Sequence, residues 1–439
     1  MTDRSPIFEP LRFRNLEVKN RVLRSSLAGR FNNYDGTGNQ AHVNWDLKFA
    51  RGGVGAIISS NAPVHPRGLI VPNYAHIDRD ETIPFWREVV QRVHEHGCKY
   101  IVQLAFSGRQ RDLGGIQFEK GWSSTDKEEP VHGLECERMT VDQIQEIVRC
   151  FAQAARRARE AGADGIEIHG CNGYLITQFL SPAINDREDD YGGSLENRAR
   201  FALEIVRAIR AEVGDDFHLQ FKITAVDYGD DLFFWWKKGT TIEDSIQVCK
   251  WLEEAGVDGF HVSSGNSFPH PRNPAGDFPV KDTVRGYDSM ISSGRHTFRN
   301  YLIFRLWPFN AVFRWMWTRA AKGHIEGINL ADCRRIKEAV SVPVVCTGGF
   351  QTASVVAAAI ERGDCDGVTI ARPLIANPNL VELWREGHDR PARPCTYSNK
   401  CLINQVENPL GCYDQSRFDS REEMVREILT VYEPPQFAS

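Results

Sequence analysis

The 439-residue sequence has neither a large net charge nor an excess of apolar residues. Hydrophobic residues make up 41% and charged residues 25%, and the mean hydropathy is -0.39, which excludes a mostly disordered, collagen-like or polytopic membrane chain. A net charge of -5 gives no electrostatic reason to bind nucleic acid, whose phosphates attract clustered Lys and Arg side chains. The length allows one large domain or two smaller ones.

The start of the sequence lacks a secretory signal, because no charged end is followed by an apolar run and a small-residue cleavage site. Internal repeats and low-complexity tracts are missing as well. The eleven cysteines are odd in number and lie mostly inside apolar or helical patterns, which is typical of reduced thiols. Disulfides are rare in the cytoplasm, so the cytoplasm is the expected compartment.

Short apolar runs rich in Val, Ile and Phe recur along the chain. Each run is too brief for a helix and is bounded by Gly, Pro or polar residues, which indicates a buried strand. Eight such strands are predicted, and they begin at Asn20, Gly55, Lys99, Gly165, His218, Gly259, Pro343 and Gly367.

Helical patterns lie between these runs, and the clearest extends from Thr140 to Gly162 with apolar residues at helical spacing. Thr140 and Gln143 have the spacing of a capping box, in which each side chain satisfies a free backbone amide of the first turn. Gly162 supplies the permissive residue that ends this helix. Further helices are predicted from about Thr241 to Ala255, Asn329 to Val340 and Thr352 to Arg362.

Eight strands that alternate with helices predict parallel pairing and a closed (β/α)8 TIM barrel, an α/β fold with its active site where the strands end. Two regions are additional to the eight strand–helix units of a barrel: a stretch of about 268–327 after strand six and a tail after Pro391. So long a connection is either functional or an inserted subdomain. We therefore predict a barrel at 1–390 that carries the insertion 268–327, followed by a C-terminal extension at 391–439.

Strand four leads directly into a cluster of polar side chains at the expected catalytic end, namely His169, Asn172 and Tyr174. A neutral His and an Asn can both donate hydrogen bonds to a carbonyl oxygen, and a Tyr beside them can supply a proton. The alternative is that His169 and Asn172 only cap the strand and turn while Tyr174 packs. The segment that follows bears on this choice.

That segment, QFLSPAINDREDDYGGSLENRARF from Gln178, resembles the old yellow enzyme family of flavin-dependent oxidoreductases. Other matching pieces occur in family order from about Ile7 to Leu380. They are IFEPLRFRNLEVKNRV near the start, GGVGAII at Gly52, the strand with Gln103 and Gly108-Arg109, HGCNGYLITQFLSP, DYGGSLENR, VPVVCTGG and TIARPLIANP. The resemblance implies a (β/α)8 barrel, which agrees with the strand count made from the apolar runs.

The resemblance implies that His169 and Asn172 hold the carbonyl or nitro oxygen of the substrate and that Tyr174 donates a proton. It also implies that Gln103 hydrogen-bonds the flavin pyrimidine edge and that Lys222 stands against flavin N1 and O2; the alternative for Lys222 is a solvated lysine at a strand end. Loops after strands seven and eight of such barrels commonly bind phosphate. The FMN phosphate is accordingly assigned to Gly348, Gly349, Ala371 and Arg372.

The sequence departs from the family after the first strand, where Arg24, Ser25, Ser26, Leu27 and Ala28 replace a common pattern of Pro followed by Thr or Cys. Ser25, Ser26 and Leu27 are assigned to flavin contacts. Ala28 has no side-chain donor for flavin O4, so Ser26 or backbone amides are the expected substitutes.

The tail carries Cys395, Cys401 and Cys412, which resemble a degenerate form of the four-cysteine motif in relatives of dienoyl-CoA reductase and trimethylamine dehydrogenase. Ser398 stands at the second position, and the next interval is wrong for that motif. Four thiolates are the usual requirement of a [4Fe-4S] cluster, so no cluster and no metal site are expected. A zinc site made of three thiols and another ligand is the weaker alternative.

The insertion lacks acidic residues altogether between Ser289 and Ile325, while six cations lie between Arg295 and Lys322 among eight aromatic residues. Such a stretch can lie in a membrane interface but cannot span one, because arginines interrupt every apolar run. The alternatives are a lid or oligomer contact whose aromatics simply pack, or recognition of an anionic lipophilic substrate.

The residues and the resemblance together predict an FMN-dependent reductase that uses NADH or NADPH to reduce the C=C bond of an activated alkene. The rival predictions are an oxidative flavin dehydrogenase or demethylase, and a membrane-peripheral flavin-binding protein with vestigial catalysis. The expected partner is a small-molecule substrate, and binding to nucleic acid is not expected. A homo-oligomer and a peripheral membrane contact through 295–322 remain open.

Overall fold

Eight parallel strands close into a barrel in the computed structural model of the chain. The structure describes residues 5–112, 117, 119–229, 237–290, 294–321, 323 and 325–432. The barrel strands are β1 (Val22–Arg24), β2 (Ala56–Ile58), β3 (Lys99–Ala105), β4 (Gly165–Gly170), β5 (His218–Thr224), β6 (Gly259–Ser263), β7 (Val344–Thr347) and β8 (Gly367–Ile370).

Each barrel strand pairs with the next along the chain, and β8 pairs with β1 to close the circle. Nearly every strand residue is buried, since one face meets the barrel interior and the other meets the surrounding helices. All eight predicted strands are present, and the predicted (β/α)8 barrel is confirmed.

Helices connect the strands as predicted. The described α-helices are Gln40–Arg51, Ile83–His94, Val141–Glu160, Leu175–Leu180, Leu195–Val213, Ile242–Glu254, Val280–Met290, Thr297–Arg305, Phe309–Ala321, Leu330–Lys337, Ala353–Glu361, Arg372–Ala376, Leu380–Arg385, Lys400–Asn404 and Arg421–Leu429. Before the helix Val141–Glu160, Thr140 and Gln143 form the predicted capping box, with backbone-to-side-chain distances of 2.9 and 3.2 Å.

An antiparallel hairpin, Leu11–Arg12 paired with Glu17–Val18, covers the amino ends of the barrel strands. Its Leu11, Phe13, Leu16 and Val18 form one apolar cluster with side chains of β1, β2, β3 and β7. This end of the barrel is therefore sealed by apolar packing, which leaves the carboxyl ends of the strands for chemistry. Two other short strands, Gly121–Ser123 and Cys136–Arg138, pair beside the barrel, and Ala62–Pro63 pairs with β3.

The insertion after β6 contains three helices, Val280–Met290, Thr297–Arg305 and Phe309–Ala321. Its inner face is an aromatic cluster in which Phe278 lies 4.7 to 5.0 Å from the rings of Phe304, Phe313 and Trp317. Among the described residues, no helix combines the length and the apolar character needed to cross a membrane. Lys322, the last cation of the predicted basic stretch, lies outside the described residues.

The C-terminal extension packs on both the insertion and the barrel. Asn404 donates a hydrogen bond of 3.0 Å to Asp282 in the insertion, and Asn44 in the first barrel helix donates one of 2.7 Å to the carbonyl of Val431. The extension is thereby tied to residues far from it in sequence.

Candidate active site

The polar cluster after β4 is buried at the carboxyl end of the barrel. His169, Asn172 and Tyr174 are 4%, 8% and 6% exposed, so all three lie beneath the surface yet retain some access. The rings of His169 and Tyr174 meet edge to face with their centroids 4.8 Å apart. The structure therefore places near one another the three residues that were predicted from the sequence to act in catalysis.

Burial, with a smaller contribution from the positive charge of Lys222, lowers the pKa of His169 to about 3. The imidazole is therefore neutral at physiological pH and carries one N–H donor. Its Nδ1 atom is buried and has no hydrogen-bond partner among the described residues. Such an unpaired buried atom is costly, and its cost is relieved when a ligand supplies the missing partner.

Asn172 is held in one orientation by two other amides. Its φ of 61° is a left-handed conformation that Asn tolerates, and Gln110 Nε2 donates to its main-chain oxygen at 2.8 Å. Asn273 Nδ2 in the insertion donates to Asn172 Oδ1 at 2.5 Å. Because its oxygen is engaged, the amide nitrogen of Asn172 is the end left to donate to a ligand.

A layer of polar side chains fills the barrel interior around Gln103. Gln103 Nε2 donates to Glu167 Oε1 at 2.6 Å, while Gln103 Oε1 is buried without a partner among the described residues. Glu167 also accepts from Gln220 at 2.5 Å and from His261 Nδ1 at 2.8 Å. Two hydroxyls, Thr347 and Thr369, lie 2.6 and 2.8 Å from His261 Nε2.

The charge of this layer resides on Glu167. Burial acts to raise its pKa, but His261 and the hydrogen bonds to His261 and Gln103 outweigh burial and lower the pKa to about 2. Glu167 is therefore ionised at physiological pH. Glu167, Gln220 and His261 were not predicted from the sequence, although polar residues at alternate positions of buried strands were a signal for them.

Lys222 lies between the two histidines of neighbouring strands, since its β5 position pairs with His169 on β4 and with His261 on β6. It is 5% exposed. In the part of the chain that the structure describes, no carboxylate oxygen lies within 4 Å of its amine, although its charge acts on Glu167 at longer range and helps to lower the pKa of that carboxyl. The amine is therefore free to contact an anionic or electron-rich ligand directly.

The end of β1 and the residues that follow it are held by internal hydrogen bonds and one ion pair. Arg24 is fully buried in an ion pair with Asp46, which also accepts a hydrogen bond of 2.6 Å from Tyr100. Ser25 donates its backbone N–H to Ile370 at 2.9 Å, and Ser26 Oγ lies 3.2 Å from Asn61 Oδ1. Ser25, Ser26 and the partly buried Leu27 thus stand at the carboxyl ends of β1 and β8.

The C-terminal extension contacts the loops after β7 and β8, where the FMN phosphate is predicted to bind. Gly349 has a φ of 66°, a conformation that favours glycine, and its carbonyl accepts a hydrogen bond of 2.5 Å from Tyr397. Arg372 lies 5.3 Å from the centre of the Tyr397 ring and donates to Asn399 at 2.5 Å. Gly348 follows the end of β7 and precedes Gly349, and Ala371 follows the end of β8 and precedes Arg372. Tyr397 and Asn399 had no recognisable signal in the sequence.

The three cysteines of the extension line a cavity of about 20 Å³ together with Ser398 and Arg372. A cavity of this size holds about one water molecule and is far too small for an iron–sulfur cluster. Arg417 Nη1 lies 2.9 Å from Cys412 Sγ. With three thiols instead of four, the described residues do not fit a [4Fe-4S] cluster.

Comparison with known proteins assigns the family. Residues 6–291 match the pattern of the NADH:flavin oxidoreductase / NADH oxidase family, and the chain belongs to that family. Its members pair a flavin with NADH or a related nucleotide, as the resemblance implied. A second pattern, that of dihydrouridine synthase, matches residues 313–432, a smaller part of the chain.

Three curated relatives agree with this assignment. The chain is 31% identical to an NADH oxidase of Thermoanaerobacter brockii over 94% of the chain and 58% of the relative. It is 28% identical to an N,N-dimethylglycine/sarcosine dehydrogenase of Chromohalobacter salexigens over 95% of the chain and 53% of the relative. An NADPH dehydrogenase of Halalkalibacterium halodurans is 35% identical over 66% of the chain and 82% of the relative.

The chain thus spans little more than half the length of the first two of these relatives. Among solved structures, an old yellow enzyme homologue from Zymomonas mobilis superposes with a TM-score of 0.66 at 20% identity, covering 92% of this chain and 99% of that one. This likeness confirms the barrel fold.

Proposed function

We propose that the protein is an FMN-dependent ene-reductase that uses NADH or NADPH to reduce the C=C bond of an α,β-unsaturated carbonyl or related compound. One observation carries the proposal: the neutral, buried His169, with its unpartnered Nδ1, stands beside Asn172, whose amide nitrogen is free to donate. Two preorganised neutral donors at the end of a barrel strand suit an oxygen that gains negative charge during reaction.

FMN fits the residues that surround this pair. Gln103 presents an unpartnered buried oxygen to a ligand N–H, and Lys222 presents a buried cation to an electron-rich edge. Arg372 and the backbone of Gly348, Gly349 and Ala371 suit a terminal phosphate. Ser25, Ser26 and Leu27 are proposed to line the remaining edge of the flavin ring. When bound, FMN supplies the hydride chemistry between nicotinamide and alkene.

His169 and Asn172 are proposed to hold the oxygen of the substrate. Reduction of an enone builds negative charge on that oxygen, and donors aimed at it stabilise the charge without having to reorganise. Removing one such donor typically lowers a rate by about 100-fold or more. Because His169 is already neutral, it donates its hydrogen bond without first releasing a proton.

Tyr174 is proposed as the proton donor. Burial raises the pKa of its phenol well above the usual value of 10, so the hydroxyl is fully protonated at neutral pH. Its ring is fixed against His169 and against Leu69, Ile70 and Tyr74. The hydroxyl can then protonate the α carbon of the substrate, which completes reduction of the double bond.

The catalytic unit is proposed to comprise residues 1–390 with the insertion 268–327, and the extension 391–439 is proposed to carry no iron–sulfur cluster. All eleven cysteines are free thiols, which favours the cytoplasm as the compartment. Iron and acid-labile sulfide analysis of anaerobically purified protein tests the extension, and four iron atoms per chain would refute its assignment.

The function is tested by separating the two half-reactions under anaerobic conditions. NADH or NADPH should bleach the flavin absorbance, and an enone, enoate or nitroalkene should restore it with release of the saturated product. If no activated alkene restores the absorbance of nucleotide-reduced protein, the ene-reductase proposal is wrong.

An oxidative flavin dehydrogenase is the second candidate, since one relative is named N,N-dimethylglycine/sarcosine dehydrogenase. This candidate requires that an amine bleach the flavin in the absence of nucleotide. Bleaching by secondary or tertiary amines, together with no bleaching by NADH or NADPH, would favour it over the reductase.

A further inference from the structure

The insertion presents apolar side chains to solvent on its outer side. Trp307 is 80% exposed, and Trp315, Phe309 and Phe298 are 62%, 57% and 57% exposed. We call this surface the aromatic face; it comprises Phe298, Leu302, Leu306, Trp307, Phe309, Val312 and Trp315. Large contiguous apolar patches are uncommon on soluble monomers and mark interaction sites.

Internal packing does not explain the aromatic face. The aromatics that do pack are different residues, since Phe304 and Trp317 are 7% and 3% exposed and meet Phe278 on the inner side. Phe298 and Leu302 are four residues apart in the helix Thr297–Arg305, and Phe309, Val312 and Trp315 are spaced by three in the helix Phe309–Ala321, so each set follows one outer stripe of its helix. Leu306 and Trp307 lie in the turn between the two helices. The insertion therefore has a complete inner core and a second, unused apolar surface.

The two helices that carry the aromatic face have charged residues of one sign only. Arg299, Arg305, Arg314 and Arg319 are exposed, and in the described ranges no carboxylate pairs with any of them. Two of these guanidinium groups stack on aromatic rings, with Arg305 5.4 Å from the ring centre of Tyr301 and Arg319 5.7 Å from that of Trp315. Arg295 differs, because it forms an ion pair of 3.1 Å with Glu128.

We propose that the aromatic face docks on an anionic membrane surface. Tryptophan and arginine side by side suit the headgroup region, where rings enter the acyl boundary and guanidinium groups meet lipid phosphates. The two helices have 9 and 13 residues, so they lie along a bilayer surface and do not cross it, which takes about 20 residues.

A second copy of the chain fits this surface less well. A twofold contact would place the same patch against itself, and the unpaired arginines of one copy would then oppose those of the other. An anionic bilayer instead supplies the opposite charge to every one of them at once. Charge complementarity therefore favours the lipid surface.

The proposal is tested with the full-length, flavin-loaded protein and vesicles of phosphatidylcholine with 30% phosphatidylglycerol. We expect the protein to sediment with these vesicles at low salt, to bind pure phosphatidylcholine at least tenfold more weakly, and to lose part of its binding at high salt. Failure to sediment with the anionic vesicles at low salt would overturn the proposal.

Variants locate the contact. Replacing Trp307, Phe309 and Trp315 by Ser should weaken binding at least tenfold, because these exposed side chains contribute little to folding. Replacing Val141 and Val425 by Ser is the matched control; both are exposed apolar residues elsewhere, at 48% and 40%, and their loss should leave binding unchanged. Equal binding by the triple variant and wild type would show that the aromatic face does not make the contact.

Charge is tested in the same way. Arg305→Gln with Arg314→Gln should weaken binding roughly 25-fold, at roughly fivefold per cation. Arg421→Gln with Arg426→Gln makes the same change in net charge on an exposed helix of the extension and should have little effect. If gel filtration instead shows a dimer that the Trp307, Phe309 and Trp315 variant dissociates, and vesicles do not bind, the face is a self-interface.

Discussion

Asn273 donates a hydrogen bond of 2.5 Å to Oδ1 of Asn172, although 101 residues separate them in sequence. The donor belongs to the insertion and the acceptor to the loop after β4. The same Asn273 amide lies 3.2 Å from Ser263 Oγ and from the carbonyl of Ser264, which fixes its own position. The insertion thus determines which end of the Asn172 amide can meet a ligand.

Asn273→Ala should weaken binding of a phenolate ligand that mimics the enolate, because Asn172 is then free to turn its oxygen toward the ligand. Loss of one such hydrogen bond corresponds to about fivefold in affinity. The measurement is titration of the phenolate charge-transfer band. The Asn273→Asp side chain also lacks the N–H donor, so this variant should also bind the phenolate more weakly. Unchanged phenolate affinity in both variants would show that Asn273 does not position Asn172. Flavin reduction by NAD(P)H should stay unchanged.

Tyr174→Phe should slow alkene reduction by about 100-fold or more while leaving flavin reduction by NAD(P)H nearly intact, since only the second half-reaction needs its proton. Stopped-flow absorbance separates the two steps. Tyr74→Phe is a matched control, because Tyr74 is a buried tyrosine of the same apolar cluster. Equal loss in both half-reactions, or equal rates in the Tyr174 and Tyr74 variants, would contradict the donor role.

Acid should destabilise the protein in part through His169. Its pKa is about 3 in the folded protein, whereas the unfolded chain has the ordinary value near 6.5. The unfolded state therefore binds more protons below pH 6.5, so the stabilisation present at pH 7 falls as the pH falls. For this one group, the loss of unfolding free energy between pH 7 and pH 5 is about 2 kcal/mol.

His169→Asn removes this contribution, so its unfolding free energy should fall by about 2 kcal/mol less than that of wild type over the same interval. Urea denaturation of both proteins at pH 7 and pH 5 gives the comparison. Parallel pH dependence in the two proteins would show that His169 is not held neutral by the fold.

The flavin released from purified protein should be FMN by mass analysis, because Arg372 and the glycine loop suit a terminal phosphate. Arg372→Gln should bring the affinities for FMN and riboflavin closer together, since riboflavin lacks the phosphate. This ratio distinguishes loss of a phosphate contact from general damage to the flavin site. Bound FAD, or an unchanged ratio in the variant, would refute the assignment of Arg372.

The sequence by itself determined the elements of the barrel. The eight strands and the capping box of Thr140 and Gln143 depend on apolar runs and on residues three positions apart, so local physics decides them. His169, Asn172 and Tyr174 were also recognisable, because they lie within six residues at a strand end. The absence of acidic residues from the insertion could also be seen in the sequence, but the sequence left several alternatives for the role of the insertion open.

The tertiary structure alone decided the partners of those residues. Glu167 meets His261 across the barrel, and Tyr397 reaches Gly349 from the extension. It also separated the aromatics that pack, such as Phe304, from those that face solvent, such as Trp307. The physical reason is that these two hydrogen bonds join residues 94 and 48 positions apart in sequence. Hydrophobic periodicity carries no information at such separations, and only the folded barrel brings the residues within hydrogen-bonding distance.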